Sequence, residues 1–588
     1  MKKWELAPDV PEHLLLTYGD IVRKMLFVRG LTAEADAEKF LTPRYEDLLD
    51  PYLFKDMEKA VVRIFEAMEG KEKIVVYSDY DCDGIPAATI MSDMFKRIGY
   101  EHIEFYIPHR HDEGYGLHMD AVKDFIDKGV KLLITFDLGI TAVEETAAAT
   151  AGGIDVIITD HHLPHGELPR AYAIINPHVD AIVEGAFATA YPEQVLSGAG
   201  VSFKLAQAFV KKYGEYYKIH DGWEKWMLDM AALGTLSDMV PIRGENRTIS
   251  YFGMKVLRRN NRPGLRALFK KMKMDTEHLT EDDLTFMVAP RINAASRMDT
   301  PMRAFELLAA DTDAKAIPMA EHLSNINDER KLLVARIMKE AKATLAKRSN
   351  ESPVVVIGST GWGAGILGLV AGKLTDELRK PVFVWGVEEE DEHIKGSCRS
   401  DGSVNVVDLM TANTEFFVQF GGHTVAGGFV ATREKIHFLE EALVKTYVSI
   451  REIADQAASD ETNASSNPNM ALATISLDKV KPAFIAEIDR FAPFGLDNPK
   501  PIFLFQNVTL DSVKLFGKTK EHLEITMSDD RGSSKAIAFF KTPNDFTIAD
   551  ADGIQQPIAA GMKVTLVGTL EMSYFRGREA RIRIVDIF

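Results

Sequence analysis

Between about residues 74 and 240 short apolar runs alternate with stretches of helical spacing: KIVVY, a helix near Pro86 to Ile98, IEFYI, a helix near Asp120 to Lys128, KLLITF, then DVIIT. Uninterrupted apolar strands separated by helices predict a parallel sheet with crossover connections. The preceding stretch, residues 11–70, reads as helical and polar, an N-terminal cap. From about Met319 to Lys347 apolar residues recur every three or four positions without an internal Gly or Pro, which predicts a long helix joining two domains as a stiff strut. PVVVIGSTGWGAGILGLVAGKL and PVFVW follow as strand, glycine-rich loop, helix and strand: a second α/β unit, ending near Ile453. DQAASDETNASSNPN is small, polar and aperiodic, a linker. Beyond Met470 the period falls to two, in HLEITM, KAIAFF, KVTLVGTL and RIRIVDIF, which predicts a β domain of the size of an OB barrel.

The fold class expected is therefore α/β: two α/β domains joined by a long helix and followed by a C-terminal OB-fold β-barrel. The expected divisions are a cap over 1–70, a first α/β domain over 71–315, the connecting helix over 316–350, a second α/β domain over 351–453, the linker over 454–470 and the barrel over 471–588. A chain of 588 residues exceeds what one core normally organises, in keeping with this division.

Composition narrows the function. No window approaches eighteen uninterrupted apolar residues, so no membrane span is expected. Glu5, Asp9 and Glu12 precede any long apolar run, which is wrong for a secretory signal, and a cytoplasmic location is expected. Two cysteines, Cys82 and Cys398, exclude a disulfide framework and a four-cysteine zinc site. A net charge of −18 argues against indiscriminate polyanion binding, so any nucleic-acid contact must be local. Lys255 to Lys273, with eight basic residues and no acid, is one local candidate; a solvated helical face is the equal alternative.

The chemistry gathers at strand ends. IVVYSDYDCDG, LLITFDLG and VIITDHH each close an apolar run with acids or histidines. The carboxyl ends of parallel strands line one crevice, so these groups should converge. Extended-chain periodicity puts Asp79, Asp81 and Asp83 on one side, and Asp137 and the Asp160-His161-His162 run arrive from neighbouring strands. So many carboxylates in one place call for cations. Mixed carboxylate and imidazole ligands suit Mn²⁺ or Mg²⁺ better than structural zinc. Two such ions roughly 3.5–4 Å apart can bridge a phosphate and bring the pKa of water toward about 7, the chemistry of phosphodiester hydrolysis. One Asp after a strand is often only a helix cap; three strand ends together are not.

These motifs resemble the DHH phosphoesterase superfamily, with DYDCDG at 79–84, FDLG at 136–139, TDHH at 159–162 and LGTLSDMVP at 233–241 in order. PRINAASRM at 290–298 and APFGLDNPKPIF at 492–503 are similar to its RecJ branch, and GWGAGILGLVAGKL, KGSCRS and GGHTVAGGF to the DHH-associated domain. The resemblance implies two divalent cations, Mn²⁺ or Mg²⁺, held by Asp81, Asp83, Asp137, His161 and Asp238, with Asp79 a further ligand or close neighbour. It places His162 on the bound phosphate or behind a ligand, Arg110 on the substrate's 5′ phosphate, and Ser397, Arg399 and His423 on phosphates from the opposite wall. Arg291 and Arg297 would contact the strand near its end. The implied activity is 5′-to-3′ hydrolysis of single-stranded DNA to 5′ mononucleotides in recombination and repair, by a monomer that cooperates with single-strand-binding protein. Two other readings stay open: hydrolysis of short oligoribonucleotides or cyclic dinucleotides, and an inactive DNA-binding scaffold.

Three departures bear on that expectation. Tyr77 stands where phosphatase members carry a metal-binding histidine, and Gly363 where the exonuclease branch usually has one. Both cysteines fall inside active-site motifs, which raises the expectation of a redox-sensitive pair facing each other across the cleft. In SYFRGRE, Tyr574, Phe575, Arg576 and Arg578 are candidates for contacts to bases and backbone.

Overall fold

The computed structural model describes residues 4–110, 112–179, 181–183, 186–188, 191–348, 352–387, 393–458, 469–517, 520–549, 553–574 and 577–588. The first α/β unit is built on five parallel strands, β1 (Ile74–Ser78), β2 (Ile103–Tyr106), β3 (Leu132–Phe136), β4 (Asp155–Thr159) and β5 (Ala173–Ile175), in the order β2-β1-β3-β4-β5. β1 and β3 are buried throughout, as continuous apolar runs covered on both faces require. The order reverses between β1 and β3, which makes their carboxyl ends the topological switch point.

Helix α1 (Gly84–Ile98) leaves β1 through the DYDCD turn, where Asp81 Oδ1 accepts the Asp83 and Gly84 N–H groups at 2.7 and 3.1 Å. Helices α2 (Gly198–Tyr213) and α3 (Leu228–Ser237) pack on α1 in one core. Helix α4 (Ala289–Met298) carries the PRINAASRM residues. The basic stretch Lys255 to Lys273 is largely spent on structure. Arg262 is forked between Asp93 and Asp229, Arg266 pairs with Asp313, Lys271 pairs with Glu321, and Arg258 donates to the Leu279 carbonyl.

The strut is α5 (Asp313–Leu345), capped by the Thr312 hydroxyl. Its first half buries Ala316, Ala320, Leu323 and Ile326 in the first core, and its second half buries Val334, Ile337, Met338 and Ala341 against Leu367 and Val370 of the second unit. That unit has strands β6 (Val355–Ser359), β7 (Val382–Gly386), β8 (His393–Arg399), β9 (Phe417–His423) and β10 (Ala426–Thr432), ordered β9-β10-β8-β7-β6. Only the β6–β7 pair is parallel. Helix α6 (Leu367–Leu378) follows β6, and α7 (Ile436–Ala458) closes the unit. Residues 459–468 of the expected linker lie outside the described residues.

The C-terminal unit is a closed five-stranded barrel of β11 (Phe503–Phe516), β12 (His522–Ser528), β13 (Ser533–Ala538), β14 (Lys563–Ser573) and β15 (Glu579–Ile587). The order is β11-β12-β13-β15-β14, with β14 returning to β11. The segment expected to cap the first domain is divided between two cores. Helix Met57–Glu69 packs on the first unit, whereas Ala7, Leu15, Val22, Met25, Leu26, Ala37 and Leu41 join the core of the barrel, and Glu5 pairs with Met470 in parallel. Arg247 pins this junction, donating to the Phe40 and Phe491 carbonyls at 2.7 Å each. No helix among the described residues is long and apolar enough to cross a membrane.

Candidate metal centre and substrate cleft

Strand register delivers the acids to one level. Ser78 pairs with Phe136 and Phe136 with Thr159, so the residues that follow each strand line up. The ladder continues one step further, Asp79 N–H donating to Phe136 O at 3.2 Å and Asp137 N–H to Thr159 O at 3.0 Å. Asp137 takes a left-handed backbone with φ of 62°, a costly conformation for an aspartate that turns its side chain into the crevice. His161 Nε2 stands 3.1 Å from Asp137 Oδ1, 3.8 Å from Asp238 Oδ2 and 3.9 Å from Asp83 Oδ2. Asp238 comes not from a strand but from the residue after α3.

Ligand atoms within 4.8 Å of one another form three overlapping sets: Asp79-Asp81-Asp137, Asp83-His161-Asp238 and Asp137-His161-His162. Asp137 and His161 each belong to two of them. Asp79 Oδ1, Asp137 Oδ1 and His161 Nε2 are buried and make no hydrogen bond among the described residues. Buried polar atoms without partners are costly unless something absent from the protein chain satisfies them. The donor set, hard oxygens with one or two imidazoles, fits a pair of Mn²⁺ or Mg²⁺ ions.

Electrostatics agrees. Burial first, and Asp81 second, push Asp79 well above the usual carboxylate range and Asp83 up to about 7. Burial and the charge of Asp83 raise Asp137 well above that range and Asp238 to about 9. Burial, with His162 beside it, lowers His161 to about 4, the neutral state a metal ligand needs. His162 behaves in the opposite way. Burial opposes its charge, but the 2.8 Å bond to Asp160 outweighs that and raises it. Burial would raise Asp160 too, but it is held low by His162 and by the Ile140, His161 and His162 N–H groups. Asp160 thus orients His162, and Tyr115 Oη reaches His162 Nδ1 at 3.3 Å.

Three glycines let this cluster form. A Cβ on Gly84 would lie 2.4 Å from Asp79 O, one on Gly198 2.6 Å from Asp137 Oδ1, and one on Gly234 2.3 Å from Asp83 Oδ1. Asp83 sits against the start of α2, accepting Gly198 N–H at 2.6 Å and Ala199 N–H at 2.8 Å, where the helix dipole favours its charge. Gly198, Gly234, Tyr115 and Arg330 escaped the sequence reading, because nothing in their local pattern reports which side chain they meet.

Above the acids stands a cationic wall. Arg110 lies 4.9 Å over the Tyr80 ring, and its charge reaches Asp79, Arg297 and Arg399. Burial, then Arg110, Arg330 and Arg399, lower Arg297 to about 9. So many guanidinium groups in one place invite an anion. Arg297 Nη1 donates to Gly365 O at 3.0 Å, tying α4 to the loop before α6. Ser397 and Arg399 share one face of β8 beneath the first turn of α6, where a Cβ on Gly368 would be 3.2 Å from Arg399 Nη2 and 3.6 Å from Ser397 Oγ. A cleft of about 380 Å³ opens here between the two units, lined by His109, Arg297, Leu333 and Gly363 among others. Gly363 faces open space, with room for a side chain. Arg291, on α4, donates to Met287 O at 2.6 Å, and its field reaches Arg330 of the strut. His423 ends β9 exposed, level with Ala426 and, one strand further, Arg399.

Two expectations change. The cysteines do not face each other across the cleft: Cys82 is buried in the first core, and Cys398 in the second, on the β8 face opposite Ser397 and Arg399. Burial raises both thiols, Cys398 to about 12, which disfavours the reactive thiolate. Tyr574 is not free to receive a base, since its ring stacks on His278 of the first unit at 3.6 Å. Phe575 and Arg576 lie outside the described residues. Tyr77 is fully buried and donates to Gly116 O at 3.0 Å.

The DHH family N-terminal domain matches residues 73–235, the DHHA1 domain 351–449 and the RecJ OB domain 473–586. The chain is 32% identical over 585 residues to the single-stranded-DNA-specific exonuclease RecJ of Bacillus subtilis, covering 98% of this chain and 69% of that protein. It belongs to the RecJ family. The RecJ of Haemophilus influenzae is 28% identical over 602 residues, covering 100% of this chain and 99% of that one. The fold matches a crystal structure of Thermus thermophilus RecJ in complex with Mn²⁺, with a TM-score of 0.78 at 23% identity, over 100% of this chain and 79% of the other. A manganese-bound exonuclease RecJ matches 69% of this chain and 99% of its own length, with a TM-score of 0.59 at 26% identity. For this RecJ-family chain the divalent metal centre therefore rests on both the donor set and the relatives.

Proposed function

We propose that this chain is a 5′-to-3′ exonuclease that hydrolyses single-stranded DNA to 5′ mononucleotides in recombination and repair, acting as a cytoplasmic monomer alongside single-strand-binding protein. The observation that carries this reading is the opposition, across one cleft, of a carboxylate and imidazole cluster with orphaned ligand atoms and a wall of half-buried arginines. Asp79, Asp81, Asp83, Asp137, His161 and Asp238 would hold the two ions. When bound, these supply Lewis-acid activation of the phosphate and of water.

The protein's own groups do the rest. Arg110, Ser397 and Arg399 receive the terminal 5′ phosphate, with the fork of each guanidinium matched to phosphate oxygens. His423, Arg291 and Arg297 hold the backbone near the end. His162, oriented by Asp160, faces the scissile phosphate. Water adds to phosphorus and the bond to the 3′ oxygen breaks, so the shortened strand again ends in a 5′ phosphate. That end refills the same pocket, which makes the polarity self-renewing. A barrel fused behind the second unit suits a polymer rather than a dinucleotide. The test is an assay on end-labelled single strands of both sugars and both polarities with Mn²⁺ or Mg²⁺. The expected result is mononucleotide release from the 5′ end of DNA; release from the 3′ end, or from RNA alone, would refute the reading.

A further inference from the structure

Helices α1 and α3 pack side by side, and each carries a metal-cluster acid at one end and a second aspartate at the other. On α1, Asp83 caps the start and Asp93 lies ten residues on; on α3, Asp238 follows the end and Asp229 lies nine residues before it. At 1.5 Å per residue these spans are about 15 Å and about 14 Å, so the two helices run antiparallel between the cluster and a common far end. The near ends touch closely. Ser237 Oγ reaches Cys82 O at 2.7 Å, and Gly234 leaves no room for a methyl group beside Asp83.

The far ends are joined by one side chain. Arg262, just before helix Pro263–Met272, places Nε 2.8 Å from Asp229 Oδ2 and Nη2 3.0 Å from Asp229 Oδ1. It also places Nη2 2.6 Å from Asp93 Oδ2 and Nη1 3.3 Å from Asp93 Oδ1, and Nη1 donates to Leu308 O at 3.1 Å. Every N–H of the guanidinium is thereby engaged. Burial opposes the charge of Arg262, but Asp229 and Asp93 outweigh that and raise its pKa. For stability alone, well-packed apolar side chains serve as well as a buried ion pair. What the planar fork adds is a fixed spacing and angle between two carboxylates, which the point charge of a lysine does not supply.

A helix is stiff over three or four turns, so the angle set at one end fixes the separation at the other. The ligand set Asp83-His161-Asp238 draws on both helices, whereas Asp79-Asp81-Asp137 takes nothing from α3. The fork therefore bears on one set and spares the other. We propose that Arg262 is a positioning residue for the metal centre: by clamping Asp93 to Asp229 it fixes the approach of α3 to α1, and with it the site formed by Asp83, His161 and Asp238. This rests on the two-metal reading above and adds to it a residue that lies outside the cleft.

The test is calorimetric titration of the full, chelator-treated chain with Mn²⁺, with melting in chelator followed in parallel. The variants are Arg262→Lys, which keeps the charge without the fork, and Asp93→Ala, which frees α1 while Arg262 stays paired with Asp229. In each, one of the two Mn²⁺ affinities should fall about tenfold, as loss of a group that supports ligands implies, and the other should stay within about twofold of wild type. Asp238→Ala already removes the α3 ligand, so adding Arg262→Lys to it should change the remaining affinity by less than about twofold. Unchanged affinities in either single variant, equal weakening of both ions in step with a lower Tm, or an additive loss in the double variant would overturn the clamp. A wild type that takes up fewer than two ions would instead sink the two-metal reading, and the clamp with it.

Discussion

Replacing Gly234 by alanine adds one methyl group to α3, and its consequence can be worked from contacts. The new Cβ would fall 2.3 Å from Asp83 Oδ1 and 2.4 Å from Ala199 Cβ, against an ordinary contact of 3.4 Å or more. Asp83 cannot simply rotate away, because both its oxygens are held by the first N–H groups of α2. The carboxylate and the start of that helix must therefore retreat together by about 1 Å, and a misplacement of that size costs on the order of a hundredfold in rate. Overpacking costs about 1–3 kcal/mol, which the roughly 1 kcal/mol gained by alanine over glycine in a helix partly offsets. The expected outcome is thus a folded protein with a small change in Tm and about hundredfold lower kcat. The assay is steady-state release of labelled mononucleotide across a Mn²⁺ titration, with circular dichroism melting in parallel. Gly372→Ala on α6, where a Cβ meets nothing within 4 Å, is the control and should keep full activity. Activity of Gly234→Ala within threefold of wild type would refute the claim that this glycine sets the position of Asp83.

Three further outcomes are expected. Asp83 and Asp238 have folded pKa values of about 7 and about 9, above the unfolded value near 3.9, so the fold holds extra protons between these limits. The metal-free protein should lose stability as pH rises from about 4 to about 9; Asp238→Asn should melt higher than wild type in chelator by a margin that grows with pH, and a flat Tm across that range would contradict this. Arg399→Ala should raise KM about tenfold to a hundredfold for a 5′-phosphorylated strand and much less for a 5′-hydroxyl strand, as loss of a charge-assisted bond implies; equal effects on both would remove Arg399 from the terminal phosphate. Removing residues 470–588 should expose Leu15, Val22, Met25, Leu26 and Leu41, lower Tm and bind a hydrophobic dye, and trimming residues 1–43 as well should abolish most of the dye binding; a dye-silent first truncation would contradict the shared core.

The strand ends were legible because a strand buried on both faces is an unbroken apolar run, and an acid that ends it stands out: Asp79, Asp137 and Asp160 declare themselves in this way. Asp238 does not, since it follows a helix, and only the likeness of LGTLSDMVP to a known motif pointed to it. Gly198 and Gly234 matter through what a methyl group would strike, a tertiary fact with no local signature. Periodicity marked residues 11–70 as helical, yet helices that share one local pattern serve different cores, because nothing local says that Glu5 pairs with Met470. The eight basic residues of Lys255 to Lys273 offered a binding face or a solvated one, and three of them, Arg262, Arg266 and Lys271, are ion-paired, whereas the charge of Arg330 on the strut reaches Arg297 in the cleft.

The central claim is tested most directly by counting ions. Isothermal titration of the chelator-treated chain with Mn²⁺ should give two ions per chain. Asp137→Ala, which removes the carboxylate common to two of the three ligand sets, should no longer bind two. Binding of fewer than two ions by the wild type, or an Asp137→Ala chain that still takes up both, would contradict the account.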